Sequence, residues 1–227
     1  MERAITDLFQ EGDDATPLDQ GQRDALLQTW ITDRGDLNEA EQENIVKGAA
    51  WARRQRGVKA PDLLTDEYVK TLHKQMFGEV WKWAGAYRRH DIDLGIAPHR
   101  IAPDMPVMLD DARYWVENNT YPRDEIAVRL HHRLTQIHPF TNGNGRHARM
   151  MADLLIERLG GKALGGKALG GKALGGKALG GKALGAKAFT WGGGKLADVG
   201  TLRKTYIAAL RAADDHDIAP LLAFVRS

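Results

Sequence analysis

The feature that most limits how this chain can fold is a joint of twelve residues between two apolar helical stretches. Residues 124–137 carry apolar side chains at helical spacing, and a second apolar stripe runs through residues 143–159. Between them lies His138-Pro-Phe-Thr-Asn-Gly-Asn-Gly-Arg-His-Ala-Arg149. Because Pro139 disfavours continuation of the first helix, the pattern predicts two core helices joined by a tight loop, with Phe140 as its apolar anchor.

The composition of this loop indicates chemistry on a ligand that carries phosphate. Gly143 and Gly145 permit backbone angles closed to other residues, and they would present N–H groups at a helix start, where the dipole favours anions. Arg146 and Arg149 are three residues apart, so they share a helical face and could fork around phosphate oxygens. His138 is the natural general base, since an unperturbed histidine titrates near neutrality. Without such chemistry, the pattern would be a capped helix-loop-helix with two surface arginines.

The pattern His138-Pro-Phe-x-x-Gly-Asn-Gly-Arg-x-x-Arg149 resembles the signature of the Fic family (filamentation induced by cAMP). Residues 83–88 resemble the segment that leads into the flap hairpin of that family. Residues 189–194 and 203–210 resemble a C-terminal segment of a bacterial branch called mobile mystery protein B. Apart from the repeat described below, the resemblance covers about residues 15–225. It implies an all-α bundle of the Fic type with a small β-hairpin flap.

The resemblance also implies an activity, the transfer of AMP from ATP to a hydroxyl side chain of a protein target. His138 would deprotonate the hydroxyl, which would then attack the α-phosphate in line. Gly143 and Arg146 favour AMP transfer over phosphate transfer, because the relatives that phosphorylate are altered at those places. The residues expected to hold the nucleotide phosphates are Gly143, Asn144, Gly145 and Arg146, with Arg149 on the γ-phosphate.

Asn142 departs from the family pattern, which has Asp or Glu at this position to help hold Mg²⁺. An amide oxygen can ligate Mg²⁺ weakly, but it brings no negative charge, and Mg²⁺ favours hard anionic oxygens. Three interpretations stay open: a lower affinity for Mg²⁺, a different nucleotide substrate such as a UMP donor, or much reduced transferase activity. In the last case, the chain would be a catalytically weak nucleotide-binding or interaction module.

Residues 37–46 predict a helix that resembles the inhibitory helix of many Fic proteins. In those proteins, a glutamate pairs with the second motif arginine and blocks placement of the γ-phosphate. Glu43-Asn44 matches the end of that pattern, whereas Glu39 stands where Ser or Thr is usual. Glu43 is therefore the candidate inhibitory residue, since a carboxylate beside Arg149 would compete with phosphate. The alternative is a solvated acidic helix face.

Residues 89–101 contain a short alternating segment, Ile92-Asp-Leu-Gly-Ile96, which is followed by Ala97-Pro98. This pattern predicts a β-hairpin near residues 88–101. By the family resemblance, the edge of this flap would bind an extended segment of the target protein through Ile92, Asp93 and Leu94. A simple surface hairpin is the alternative.

A pentapeptide, Gly-Gly-Lys-Ala-Leu, is repeated five times from Gly160 to Leu184, and a decayed copy ends at Phe189. A period of five matches no helical repeat, and two glycines per unit disfavour a helix. A flexible inserted linker is therefore expected. The chain then divides into an N-terminal region with the candidate inhibitory helix, a Fic core, the repeat insertion and a C-terminal helical part: residues 1–60, 61–159, 160–189 and 190–227.

Composition narrows the class of protein further. Basic and acidic residues nearly balance, at 32 and 30. The lysines of the repeat are better explained as solvated side chains of an insertion, and nucleic-acid binding is not expected. The chain has no cysteine and no apolar run long enough for a bilayer, which predicts a cytoplasmic protein without a membrane span. The branch resemblance suggests a helix-turn-helix regulatory partner. Helices are expected near residues 18–32, 37–56, 65–78, 104–118, 124–137, 143–159, 196–213 and 217–226.

Overall fold

A computed structural model describes residues 18–160, 189–193 and 199–227, and within them the chain is helical. No strand occurs in this part of the chain, although an antiparallel bridge joins Leu26 and Trp81. The all-α prediction is therefore confirmed, while the pentapeptide repeat lies outside the described residues. The helices are α1 Gln20–Ala25, α2 Arg34–Arg54, α3 Ala60–Leu63, α4 Asp66–Phe77, α5 Pro98–Asn118, α6 Arg123–Ile137, α7 Asn144–Arg158, α8 Val199–Asp214 and α9 Ala219–Val225.

The core is built around α6 and α7, the two helices that flank the motif loop. Both apolar stripes are almost completely buried, and the two helices pack against each other. Full burial of one such side chain stabilises the fold by about 1.5–3 kcal/mol. The prediction of two core helices around the motif is therefore confirmed. The buried stripe residues are Ile126, Leu130, Leu134 and Ile137 of α6, and Met151, Leu154 and Leu155 of α7.

The remaining helices bring both ends of the described chain close to this pair. Helix α2 packs along α4 and also touches α7, whereas α8 packs on α9, which in turn packs on α6. A polar cap fixes the start of α2, where the side chain of Asp33 accepts a hydrogen bond from the N–H of Asp36. None of the helices in the described ranges has the length and apolar character that a bilayer crossing requires.

Several helix boundaries differ from those expected from the sequence. The helix expected at residues 18–32 ends at Ala25, because Leu26 turns to an extended conformation and bridges to Trp81. Helix α5 begins at Pro98 rather than near residue 104, since proline fits a first helical turn, where no N–H donor is needed. Helix α3 was not expected from the sequence.

The predicted β-hairpin at residues 88–101 is not formed. Residues 89–97, the flap loop, contain no strand, and α5 begins directly after them. Side-chain burial still alternates along the loop as the sequence pattern suggests: Ile92, Leu94 and Ile96 are half-buried, while the residues between them are exposed. The flap loop bonds to the motif instead of pairing with itself: the N–H of Ile96 donates to the carbonyl of Ile137 at 3.3 Å.

Candidate functional site

His138 ends helix α6 in a left-handed conformation with φ 52° and ψ 62°. Its Nδ1 lies 3.2 Å from the carbonyl oxygen of Thr135. Because a carbonyl can only accept, Nδ1 is assigned the proton, and Nε2 keeps a free lone pair. Burial lowers the pKa of His138 to about 4, which outweighs the opposing effect of the Thr135 carbonyl. The imidazole is therefore neutral near pH 7, as a general base must be.

The motif loop is held from inside by Phe140 and Asn144. Phe140 is fully buried, so its expected role as the anchor of the loop agrees with its position. The side chain of Asn144 accepts from the N–H of Phe140 and donates to its carbonyl, both at 2.8 Å. This reciprocal pair occupies the amide of Asn144, which leaves its backbone rather than its side chain for phosphate.

His73 of α4 holds the same loop from outside. Its ring stacks on Phe140 with centroids 3.6 Å apart. The N–H of Gly85 donates to Nδ1 at 3.0 Å, so Nε2 carries the proton and donates to the carbonyl of Asn142 at 3.1 Å. Sequence reasoning missed His73, because nothing in its local pattern distinguishes it from an ordinary helix residue.

The start of α7 forms the anion-binding side of the site. Gly143 precedes the helix with φ +77°, and Gly145 and Arg146 lie in the first turn, where backbone N–H groups have no partner inside the helix. Those groups and the helix dipole favour an anion at this end. Gly143, Gly145 and Arg146 lie where the predicted cradle needs them, and their binding of phosphate stays a prediction.

The inhibitory pairing predicted for Glu43 and Arg149 is not the one found. Glu43 is exposed and pairs with Lys47 at 3.0 Å. Glu41, two residues earlier on α2, is buried instead, and its Oε2 accepts from Nη1 of Arg146 at 2.5 Å. The short sequence pattern identified the correct helix but not the residue on it that contacts the motif. Residues two positions apart, such as Glu41 and Glu43, lie on different faces of a helix.

The buried side chain of Trp81 also holds Glu41. Nε1 of Trp81 donates to Oε1 of Glu41 at 2.6 Å, so each carboxylate oxygen has its own donor. The guanidinium of Arg146 lies over the ring of Phe77, 4.9 Å from its centroid. Arg146 is therefore fixed by a carboxylate on one side and an aromatic face on another, in the place where phosphate oxygens would compete for it.

Arg149 has different neighbours from Arg146. It is half-buried, burial lowers the pKa of its guanidinium, and Tyr206 and Asp153 are close enough to raise it in turn. Nε1 of Trp191 donates to Oδ1 of Asp153 at 3.0 Å. Tyr206, which lies beyond the repeat, is thus a neighbour of the second motif arginine, and Trp191 contacts the motif helix through Asp153. Sequence reasoning did not single out Asp153 or Tyr206 as site residues, although residues 189–194 and 203–210, which include Trp191 and Tyr206, already carried part of the resemblance.

Asn142, the expected weak ligand of Mg²⁺, is exposed at the tip of the loop. Its Oδ1 already accepts from the N–H of Gly143 at 2.6 Å. The described ranges contain no group of three or more metal-ligating His, Cys, Asp or Glu side chains. The chain therefore offers Mg²⁺ one neutral and already engaged oxygen at this position, so the residues present fit the ion poorly.

Comparison with known sequences places this site in a family. Residues 63–156 match the model of the Fic/DOC family. The protein adenylyltransferase Fic of Drosophila mojavensis is 29% identical over 105 residues, and that of Aedes aegypti is 25% identical over 103 residues. These alignments cover 43% and 44% of this chain but only 20% and 21% of the relatives. The matched part is thus about a fifth of the length of the curated relatives.

Solved structures share the fold over more of the chain. The BepC protein of Bartonella tribocorum, with bound AMPPNP, has a TM-score of 0.59 at 16% identity, with 97% of this chain and 95% of that chain covered. An N-terminal Fic domain of Bartonella quintana, with bound ADP, has the same score and identity, with 94% and 91% covered. Placement in the mobile mystery protein B branch stays a prediction. The chain has the all-α Fic fold, and residues 63–156 are a domain of the Fic/DOC family.

Proposed function

We propose that this chain transfers AMP from ATP to a hydroxyl side chain of a protein target. The observation that carries the proposal is the state of His138, whose Nδ1 donates to Thr135 and leaves Nε2 as a neutral base. The anion-binding start of α7 follows it by a few residues. Curated relatives that match the same part of the chain are described as adenylyltransferases, which supports AMP as the transferred group.

In the proposed reaction, Nε2 of His138 takes the hydroxyl proton while the oxygen of the target forms a bond to the α-phosphorus. The bond from the α-phosphorus to the bridging oxygen of the β-phosphate breaks, and pyrophosphate leaves. Arg146, Arg149 and the N–H groups of α7 would offset the charge on the phosphate oxygens. Positioning and electrostatic stabilisation would supply most of the rate gain.

The target would lie along the flap loop, which runs beside His138. In that loop Asp93 is exposed, whereas Ile92 and Leu94 are half-buried. An extended target segment could therefore contact the backbone and the exposed side chains without a preformed strand. This mode keeps the expected role of the flap but not its hairpin form.

We further propose that Glu41 restrains the reaction. It bonds to Arg146 at 2.5 Å, and its own side chain is almost completely buried, whereas the side chain of Arg146 is 30% exposed. Water therefore screens the carboxylate less than it screens the guanidinium. A phosphate group would have to displace this carboxylate to reach Arg146. Glu41 thus takes the inhibitory role first expected of Glu43, but acts on the first motif arginine.

Glu41→Gln is expected to raise AMP transfer. The amide can still accept from Trp81 but carries no charge against Arg146, and loss of one charged hydrogen bond corresponds to a change of about tenfold or more. The measurement incubates the variant with Mg²⁺, cell lysate and ATP labelled at the α-phosphate, and records label on protein. Glu43→Gln, the same change on the exposed face of α2, is the matched control and should behave as wild type.

Three further arms separate the possible reactions. His138→Ala in the Glu41→Gln background should abolish labelling, since it removes the base. ATP labelled at the γ-phosphate should label nothing, whereas label from that position would indicate phosphate transfer. UTP labelled at its α-phosphate tests the other nucleotide. Absence of His138-dependent label from any of these donors would refute the proposed transfer.

The poor fit of Asn142 to Mg²⁺ favours one second candidate, a catalytically weak nucleotide-binding module. Asn142→Asp is expected to lower the Mg²⁺ concentration needed for ATP binding, because it adds an anionic oxygen where a neutral one stands. Calorimetric titration of ATP at several Mg²⁺ concentrations measures this, and labelling shows whether transfer rises with it. Tighter binding without any transfer would support the weak module.

A further inference from the structure

Arg88 connects the flap loop to the catalytic histidine. Its side chain is buried, with 3% of its surface exposed. Nε donates to the carbonyl of His138 at 2.8 Å, Nη1 donates to the carbonyl of His90 at 3.1 Å, and Nη2 donates to the carbonyl of Ile96. One guanidinium thus holds both sides of the flap loop and the backbone of the residue proposed as the base.

Backbone contacts bring the same two segments together. The N–H of Arg88 donates to the carbonyl of Pro139 at 2.9 Å. Gly95 has φ +90°, and a Cβ placed there would lie 2.5 Å from Cβ of His138 and 2.9 Å from Nη2 of Arg88. The flap loop therefore lies directly against His138, with no room for a side chain between them.

The chemistry of Arg88 suits this task. A guanidinium presents donors in a fixed plane and can bind separate carbonyls at once, whereas a lysine ammonium is a point charge on a flexible stem. In the described part of the chain, no carboxylate lies within salt-bridge distance of Arg88. Three carbonyl dipoles and the more distant charge of Asp91 balance its buried charge. Such a group costs free energy to bury, which argues for a role beyond packing.

We propose that Arg88 is a positioning residue that sets the distance between the flap loop and His138 Nε2. His138 has a left-handed backbone, which is unfavourable for a residue with a side chain. The bond from Arg88 to its carbonyl holds that conformation. The hydroxyl oxygen of a target segment bound to the flap loop then lies at a fixed distance from Nε2 of His138. This inference rests on the proposed transfer reaction.

The first test is Arg88→Lys in the Glu41→Gln background, with Arg100→Lys as the matched control. Arg100 is exposed and pairs with Asp104 one turn along α5, so the same chemical change there should alter nothing. For Arg88→Lys, kcat should fall about 100-fold, as expected for a misplaced reacting group. The KM for ATP should stay unchanged, because the phosphate cradle is untouched. An unchanged kcat, or a loss confined to the KM for ATP, would overturn the proposal.

Two readouts do not need the transfer reaction. Trypsin should cut the Arg88→Lys variant after Arg89 faster than wild type, since the flap loop loses its attachment. In NMR titrations, the pKa of His138 should rise from about 4 toward that of a solvated histidine as the loop opens. If wild type and Glu41→Gln transfer no nucleotide, the proposed function fails, but these readouts still decide whether Arg88 holds the loop on His138. Wild-type cleavage and titration would refute that coupling.

Gly95→Ala is the second variant, in case Arg88→Lys does not fold. Its methyl group should push the loop from His138 and reproduce the fall in kcat at an unchanged KM for ATP. Gly57→Ala is the control, because a Cβ at Gly57 would meet nothing within 4 Å. Equal kcat values for the two alanine variants would contradict the proposed contact.

Discussion

Acidification from pH 6.5 to pH 4 is expected to unfold this protein through four buried histidines. Burial lowers the pKa of each below the usual histidine value of 6.5: well below it for His73, to about 3 for His131, and to about 4 for His138 and His147. In this window the unfolded chain takes up protons on these side chains and the folded chain does not. Stability is therefore lost as the pH falls through 6.5 toward the lowered values.

One carboxyl group acts in the opposite direction. Burial raises the pKa of Asp153 to about 7 from 3.8, so the folded chain holds a proton there that the unfolded chain releases above its own pKa. Near pH 5 the four histidine protons exceed this single one by three. Three protons correspond to a slope of about 4 kcal/mol per pH unit, which is large beside a total stability of about 5–15 kcal/mol.

Urea unfolding at a series of pH values measures this slope as the change in the free energy of unfolding. His147→Gln is the informative variant. Nε2 of His147 lies 3.0 Å from the carbonyl of Val69, and a glutamine amide can donate in its place without titrating in this range. The variant should lose about 1.4 kcal/mol per pH unit from the slope. A slope equal to that of wild type would show that His147 is not the kind of buried neutral group described above.

Much of the fold and the centre of the site could be predicted from the sequence. Apolar spacing on either side of residues 138–149 gave the two core helices, because a helix must bury its apolar face. The burial of Phe140 and the positive φ of Gly143 could be predicted because they depend on local chemistry, an apolar ring and a residue without Cβ, whereas the role of His138 as base stays a prediction. Such local features are carried by one residue and its immediate neighbours.

What could not be predicted depends on contacts between residues far apart in the chain. Glu41 rather than Glu43 meets the motif because α2 is rotated by its packing on α4, which no local pattern specifies. The flap loop forms no hairpin because Arg88 and the backbone at Ile137 take its hydrogen bonds. In both cases the sequence pattern identified a segment near the motif, and tertiary packing decided which of its residues make the contacts.

Gly143→Ala is expected to cost most of the transfer activity and a measurable part of the stability. Gly143 has φ +77°, and a Cβ there would lie 2.6 Å from Cζ and 2.7 Å from Cε2 of Phe77. Phe77 is fully buried, so its ring cannot move into solvent. The left-handed backbone and the overpacking together should destabilise the fold by about 2–4 kcal/mol, which thermal or urea unfolding would measure.

The ring of Phe77 also explains why Gly143→Ala should lower the transfer activity even where most of the protein stays folded. Phe77 lies under the guanidinium of Arg146 and beside His73, at centroid distances of 4.9 Å and 4.8 Å. Any shift of the ring or of the loop therefore moves the phosphate cradle. Gly160→Ala is the matched control, since Gly160 has φ +89° but a Cβ there would meet only Nη1 of Arg123, at 3.2 Å. Adding Phe77→Leu to Gly143→Ala should restore part of the activity by making room. If Gly143→Ala were as mild as Gly160→Ala, the expected clash of the added Cβ with Phe77 would be refuted.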